Sequence, residues 1–170
     1  MILINIGSNL RSTKGNRLFN LKRTLELIKL EKIKIVKVSS VYETPSYPNK
    51  NDPKFLNLGI EIKCNLSPES LIKKFNKIEK KLQRTRGKKN EPRTCDIDLI
   101  DYKGEILNSK DIIIPHPKAH LRSFVLFPIK EIFPMWIHPV LNKRLDFLIK
   151  KLSFKLRNEI TKIKESVRIG

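Results

Sequence analysis

Apolar residues recur at two spacings along this 170-residue chain, and the spacing assigns most of the elements. Residues 2–6 (ILINI) form an apolar, β-branched run closed by Gly7-Ser8-Asn9, which predicts a buried strand and a turn. Between 16 and 30, Leu18, Leu21, Leu25 and Ile28 recur at helical spacing with cations between them. Positions 33–42 alternate through Ile33, Ile35, Val38 and Val41, predicting a strand that ends at Tyr42. Phe55 to Cys64 alternates again. Ser67-Pro68-Glu69-Ser70 then reads as a helix start, with a capping serine and proline at the first position. That helix would bury Leu71, Ile72, Phe75, Ile78 and Leu82. Residues 95–102 return to strand, 111–114 form a short one, and 121–132 read as helix. A lysine-rich amphipathic helix is expected at 142–157.

The order β-α-β-β-α-β is a split βαβ and predicts an α+β fold. The expected architecture is a ferredoxin-like core, an antiparallel sheet flanked by helices. No repeat or low-complexity linker interrupts the chain, so 1–170 is expected to be one domain. Two connections break the pattern. Residues 44–53 (TPSYPNKNDP) hold three prolines, and 84–94 (RTRGKKNEPRT) hold almost no apolar residue. Loops of this length inside a small domain point to binding segments.

Composition narrows the class. The formal charge is +19, and 26 of the 36 basic residues are lysine. Such an excess favours polyanionic partners: nucleic acid, nucleotide phosphates or an anionic membrane. The chain also holds 23 isoleucines, and Lys, Ile and Asn share AT-rich codons, so part of the basicity can be genome bias. No run of 18 apolar residues exists to span a membrane, and Met1-Ile2-Leu3-Ile4-Asn5 lacks the features of a signal peptide. Cys64 and Cys95 cannot make a disulfide framework and are expected as buried thiols in a reducing cytoplasm. The Met1 start and the length lead us to expect a free-standing protein.

The richest chemistry lies in Pro92-Arg93-Thr94-Cys95-Asp96-Ile97-Asp98. On a strand, Asp96 and Asp98 project from the same face while Cys95, Ile97 and Leu99 face the core. Paired carboxylates repel unless a positive group lies between them, and hard divalent cations suit that oxygen set. The plain alternative is a solvent-facing strand edge. Immediately upstream, Arg84, Arg86, Lys88, Lys89 and Arg93 place five cations within ten residues. Alone such a run is a solvated face, but beside a carboxylate pair it is what polyphosphate transfer requires. No G-x-x-x-x-G-K-[ST] loop is present, so a P-loop mechanism is excluded. A third patch, Pro115 to Phe124, carries His116, Lys118 and Arg122, which would extend a phosphate-binding surface. His116 and His120 have H-x₃-H spacing, but no C-x₂-C pair accompanies them and zinc is not expected. His120 is read as a structural turn residue.

Taken together, these blocks resemble the 6-hydroxymethyl-7,8-dihydropterin pyrophosphokinase family. The segment PRTCDIDLI is similar to the family signature G-P-R-x-x-D-[LI]-D-[LI]. INIGSNL at the start, SSVYETP at 39–45, DPKFLN at 52–57 and PHPKAHLRSFVLFPI at 115–129 extend the likeness over nearly the whole chain. The resemblance implies the ferredoxin-like αβα core and a transferase that moves pyrophosphate from ATP to the hydroxymethyl group of a reduced pterin, releasing AMP, in folate biosynthesis. It implies that Asp96 and Asp98 hold two Mg²⁺ ions. Arg84, Arg93, His116 and Arg122 match ATP-side positions, the first three forming the catalytic set. Asn76 and Glu79 match positions lining the nucleotide site, and Arg86 and Lys88 would complete the cradle for the triphosphate. Thr44, Pro45 and Tyr47 match the pterin-edge loop. Phe55 and Phe124 match two rings that sandwich the pterin, and Asn57 matches its hydrogen-bonding partner. Read by pattern alone, both phenylalanines would be core residues. Asn90, Glu91 and Asn76 depart from the residues usual at their positions; Glu91 could repel a triphosphate or pair with a neighbouring lysine.

Two other classes compete. A basic ferredoxin-like domain can bind RNA on its sheet, but strand 95–102 offers only Tyr102 and no RNP-like pattern. A subunit of a ribosome-like assembly would explain the lysines and leave Asp96 and Asp98 unexplained. The expected partners are therefore ATP and the reduced hydroxymethylpterin, with neither nucleic acid nor membrane, and the protein is expected to be a cytoplasmic monomer.

Overall fold

Seven consecutive buried residues form β1 (Ile2–Ser8), and a strand buried along its whole length must be covered on both faces. The computed structural model describes residues 1–85, 91–165 and 167. After β1 comes α1 (Arg17–Leu30), capped by Asn16, whose side chain accepts from Phe19 N at 2.9 Å.

The stretch expected as one strand at 33–42 is two, β2 (Lys34–Val38) and β3 (Tyr42–Thr44). Ser39 divides them by replacing regular ladder bonds: its N–H donates to Gly59 O while its hydroxyl accepts from Gly59 N. Ser40 turns outward, and Glu131 accepts from both its N–H and its hydroxyl. Next come β4 (Phe55–Lys63) and α2 (Pro68–Lys81), which starts where the sequence predicts, with Ser67 as cap. Then follow β5 (Asp96–Tyr102), a small hairpin of β6 (Leu107–Asn108) and β7 (Ile113–Ile114), and a 3₁₀ turn at Ala119–Leu121. α3 (Ser123–Ile132) starts two residues later than expected.

The C-terminal region corrects the expectation of one helix at 142–157. Asn142 has φ +49°, a left-handed conformation that closes the hairpin of β8 (Ile137–His138) and β9 (Lys143–Arg144). α4 (Leu145–Lys151) stops where Leu152 becomes extended, and Ser153 caps a separate α5 (Phe154–Asn158). The break lets Leu152 stay buried against α3 and α4, while Phe154 is 77% exposed. The chain then adds β10 (Thr161–Lys162) to the sheet.

The main sheet is antiparallel in the order β10-β3-β4-β1-β5, with β2 also paired to β4. One face, with Ile2, Ile4, Ile6, Ile97 and Leu99, packs against Leu21, Leu25 and Ile28 of α1 and Leu71, Phe75 and Ile78 of α2. Leu3 and Ile100 point the other way, into a second cluster with α3 and α4. Helices thus cover both faces, and Tyr102, the one aromatic of β5, is buried with its hydroxyl donating to Leu66 O at 2.6 Å. Cys95 is buried, whereas Cys64, expected buried, is only partly so. Among the described residues no helix is long and apolar enough to cross a membrane.

On the second face α3 sits directly on Gly59. A Cβ built there would lie 2.7 Å from Pro128 Cβ and 3.1 Å from the Pro128 backbone, so the helix approaches only because the side chain is absent. Gly59→Ala should therefore lift α3 and cost about 1–3 kcal/mol in urea unfolding. Unchanged stability would refute so close a seat.

Candidate active site

Beyond the N-terminal end of α3 the second sheet face is polar. The register places Asn57, Gly7 and Asp96 in one row across β4, β1 and β5, and Gly59, Asn5 and Asp98 in the next. With strands spaced by about 4.8 Å, Asn57 and Asp96 stand about 10 Å apart across a glycine. A Cβ on Gly7 would lie 3.3 Å from Asn57 Oδ1 and 3.4 Å from Phe55 Cδ1, so the missing side chain lets both close over the strand there.

The phosphate-side expectations converge. Glu79 is only 3% exposed; its Oε1 accepts from Ile97 N at 2.8 Å and pairs with the Arg84 guanidinium. Arg84 reaches on to Asp96 Oδ1 at 2.7 Å. Burial would lower the Arg84 pKa, but the charges of Asp96 and Glu79 outweigh it and hold it above its ordinary value. Arg93 Nε lies 2.7 Å from Asp96 Oδ2 without hydrogen-bond alignment, leaving a buried N–H donor available to another acceptor. Arg122 Nη1 lies 3.3 Å from Asp98 Oδ2. Asn76 stands one turn before Glu79 on α2, partly buried. Arg86, Lys88, Lys89 and Asn90 lie outside the described residues.

His116 corrects one expectation. Its backbone is tied to β5 by donation to Ile100 O at 3.0 Å, and its Nδ1 accepts from Lys118 N at 3.1 Å. Its other ring nitrogen, Nε2, lies 3.2 Å from Arg122 Nη1, which can only donate, and 4.0 Å from Asp98 Oδ2. Burial first and the Arg122 charge second push its pKa down to about 4. His116 is therefore neutral near pH 7 and adds no charge to the cationic cradle.

Asp98 moves the other way. Burial, then the Asp96 charge, push its carboxyl up to about 7 against the pull of Arg122 and Arg93. A carboxylate pair under this strain suits a hard cation. Among the described residues no group of three or more His, Cys, Asp or Glu could hold a metal alone. A divalent ion here would draw its remaining oxygens from a substrate, as Mg²⁺ bound to nucleotide phosphates does.

The pterin-side expectations divide. Phe55 and Phe124 are partly buried, and each carries an arginine over its ring: Arg93 at 5.1 Å and Arg122 at 5.4 Å. Asn57 is buried and donates to Thr44 Oγ1 at 3.1 Å. Pro45 is partly buried, but Tyr47 is 83% exposed.

From the sequence Asn5 and Asn20 carry no assignment, and Asn9 is only a turn residue. Asn5, with its amide nitrogen turned toward them, donates to Leu58 O and Phe124 O, both at 3.0 Å. Asn20 donates to Leu10 O at 2.9 Å. Asn9 bonds to segments far away in the chain. Their one sequence signal is polarity inside an otherwise apolar run, as in ILINIGSN.

A donor-rich rim facing two crowded carboxylates on a helix-covered antiparallel sheet defines the class: an α+β protein with a site suited to phosphoryl-group chemistry. Residues 3–134 match the family described as 7,8-dihydro-6-hydroxymethylpterin-pyrophosphokinase (HPPK), and the chain belongs to that family. It is 35% identical over 144 residues to the 2-amino-4-hydroxy-6-hydroxymethyldihydropteridine pyrophosphokinase of Aquifex aeolicus, covering 85% of this chain and 87% of that protein. The Bacillus subtilis enzyme of the same name is 36% identical over 130 residues, covering 76% and 75%. A folic acid synthesis protein of Pneumocystis carinii is 37% identical over 139 residues, but those cover 82% of this chain and only 18% of that protein. The crystal structure of Plasmodium falciparum HPPK-DHPS with pteroate shares the fold, with a TM-score of 0.72 at 14% identity, covering 95% of this chain and 47% of that one.

The His116 ring should titrate at about 4 in ligand-free protein, followed by NMR. Unfolded histidine protonates near 6.5, so the unfolded state takes up the proton first as pH falls. The stability from this ring is thus present above pH 6.5 and declines between 6.5 and 4. A midpoint near 6.5 would refute the buried neutral ring.

Proposed function

We propose that this chain transfers pyrophosphate from ATP to the hydroxymethyl group of 6-hydroxymethyl-7,8-dihydropterin, releasing AMP, as a step in folate biosynthesis. The observation that carries the reading is the linked constellation Glu79–Arg84–Asp96 and Arg122–Asp98, set across Gly7 from Phe55 and Asn57. Membership in the pyrophosphokinase family supports it.

In this reading Asp96 and Asp98 hold two Mg²⁺ ions, which when bound would offset phosphate charge and favour an in-line approach. Arg84, Arg93 and Arg122 neutralise charge that builds on the transferring group, and the neutral His116 ring faces it without adding charge. Asn76 and Glu79 line the nucleotide side, with Arg86 and Lys88 assigned there from sequence alone. The pterin stacks between Phe55 and Phe124 once Arg93 and Arg122 move from the rings to phosphate, and the Asn57 amide meets its polar edge. Thr44, Pro45 and Tyr47 flank that edge. The hydroxymethyl oxygen forms a bond to the β-phosphorus, the bond to the α–β bridging oxygen breaks, and AMP departs with that electron pair. The hydroxyl proton is released to solvent.

We also read the βαββαβ order as ferredoxin-like, 1–170 as one catalytic domain, and the protein as a cytoplasmic monomer. The free thiols Cys64 and Cys95 support a reducing compartment; burial pushes the Cys95 thiol up to about 12 and keeps it unreactive.

The test is AMP release from ATP, Mg²⁺ and the reduced hydroxymethylpterin. Asp98→Ala should lower kcat by about a hundredfold or more while leaving Tm near that of the parent; an active variant would overturn the carboxylate role. Phe124→Ala should weaken pterin binding at least about tenfold more than ATP binding, the difference a lost stacking face can supply. Equal losses would make the ring a core residue.

A further inference from the structure

The break between α4 and α5 opens a cavity of about 480 Å³, and none of the residues assigned above to the phosphate or pterin side lines it. Leu152 ends α4 extended, and Ser153 turns the chain into α5 by accepting from Leu156 N at 3.3 Å. Leu156 thereby lines the same hollow as Phe147 of α4. Leu141, beside the left-handed Asn142, and Leu121 of the 3₁₀ turn complete the apolar wall. Leu121, Leu141, Phe147 and Leu156 are all exposed, so four large apolar side chains surround one concavity with nothing packed into it. Apart from the 3₁₀ turn, every wall lies beyond residue 134, where the match to the pyrophosphokinase family ends.

Two cations stand among these apolar groups. Lys143 Nζ and Lys151 Nζ lie 5.4 and 5.5 Å from the centroid of the Phe147 ring. No carboxylate lines the cavity, and Asp146, the one acid of α4, is engaged by Lys130 at 2.8 Å. An ammonium resting on a ring gains little while it stays in water, and more when an anion reaches it beside apolar surface. We propose that this cavity binds a small anionic amphiphile, a free single-chain fatty carboxylate, with its chain among the leucines and its carboxylate at Lys143 and Lys151. The volume falls in the range of small-molecule sites, about 300–1,000 Å³. The walls are mostly aliphatic, which suits a flexible chain better than a flat polar ring. A bilayer surface would leave the concavity unfilled. A second copy of the chain would set Lys143, Lys151 and the exposed Arg144, Lys150 and Lys155 against their own counterparts, and like-charge repulsion opposes that pairing.

Titration calorimetry of the full chain with decanoate, kept below its micellar range, tests this. One saturable site with a Kd of about 1 mM or tighter is expected, while acetate, which has the charge without the chain, should not saturate. Replacing both lysines, Lys143→Gln with Lys151→Gln, should weaken decanoate binding by at least about fivefold through loss of the ion pairs. Leu156→Asp should weaken it by at least about tenfold, by removing apolar wall and repelling the carboxylate. All three side chains are exposed, so Tm should stay near that of the parent, and either folded variant decides the matter. A non-hydrolysable ATP analogue with Mg²⁺ should leave the decanoate Kd unchanged. Competition by that analogue overturns the proposal, because it would place the anion among the arginines of the active site. Saturation by acetate, or parent-like affinity in a folded variant, also overturns it. So does parent protein that ignores monomeric decanoate; if that protein sediments with phosphatidylglycerol vesicles, the face is a bilayer contact instead.

Discussion

A carboxylate closed off between a helix and a strand has to be paired, and Glu79 is where this constraint shapes the protein. Its Oε1 takes the Ile97 N–H and the Arg84 guanidinium, so α2, β5 and the start of the 84–94 loop meet at one oxygen. An unpaired charge there would be strongly destabilising, which leaves Arg84 little freedom. Arg84 then presents its remaining contact to Asp96. The first carboxylate of the D-x-D pair is thus placed by a residue seventeen positions upstream. Further contacts carry the placement outward to Arg93, Arg122 and His116.

The second constraint is steric. Helix α3 can lie on the sheet only at Gly59, and Asn57 and Phe55 close over Gly7 beside it. One glycine admits a helix and the other admits two side chains. Between them Asn5 fixes the start of α3 by bonding Phe124 O, which sets where the Phe124 ring emerges. Packing and binding geometry are therefore decided on the same three strands.

The charge of +19 looks different against this frame. The described cations of the site, Arg84, Arg93 and Arg122, are each matched to Asp96 or Asp98, so the site is a network of pairs rather than a free positive field. His116 contributes no charge near pH 7. Elsewhere lysines crowd single acids, as Lys74, Lys77 and Lys81 do around Glu31, where ion pairs at the surface stabilise little.

Much of this was legible in the sequence because it depends on near neighbours. An apolar, β-branched run gave β1, alternation determined β4, the Ser67-Pro68 cap determined where α2 begins, and strand parity alone put Asp96 and Asp98 on one face. Resemblance added the aromatic and pterin-loop residues, which no spacing distinguishes from core. The rest was decided by partners remote along the chain. Ser39 splits a strand through Gly59, and Leu152 ends a helix to stay in a core shared with α3. His116 loses its proton through burial beside Arg122, and Asn9 meets Arg93 across 84 positions. Periodicity and capping are set by residues within a turn or two, so a sequence displays them directly. A buried polar group instead takes whatever partner the folded chain brings to it, and only the tertiary structure can supply that.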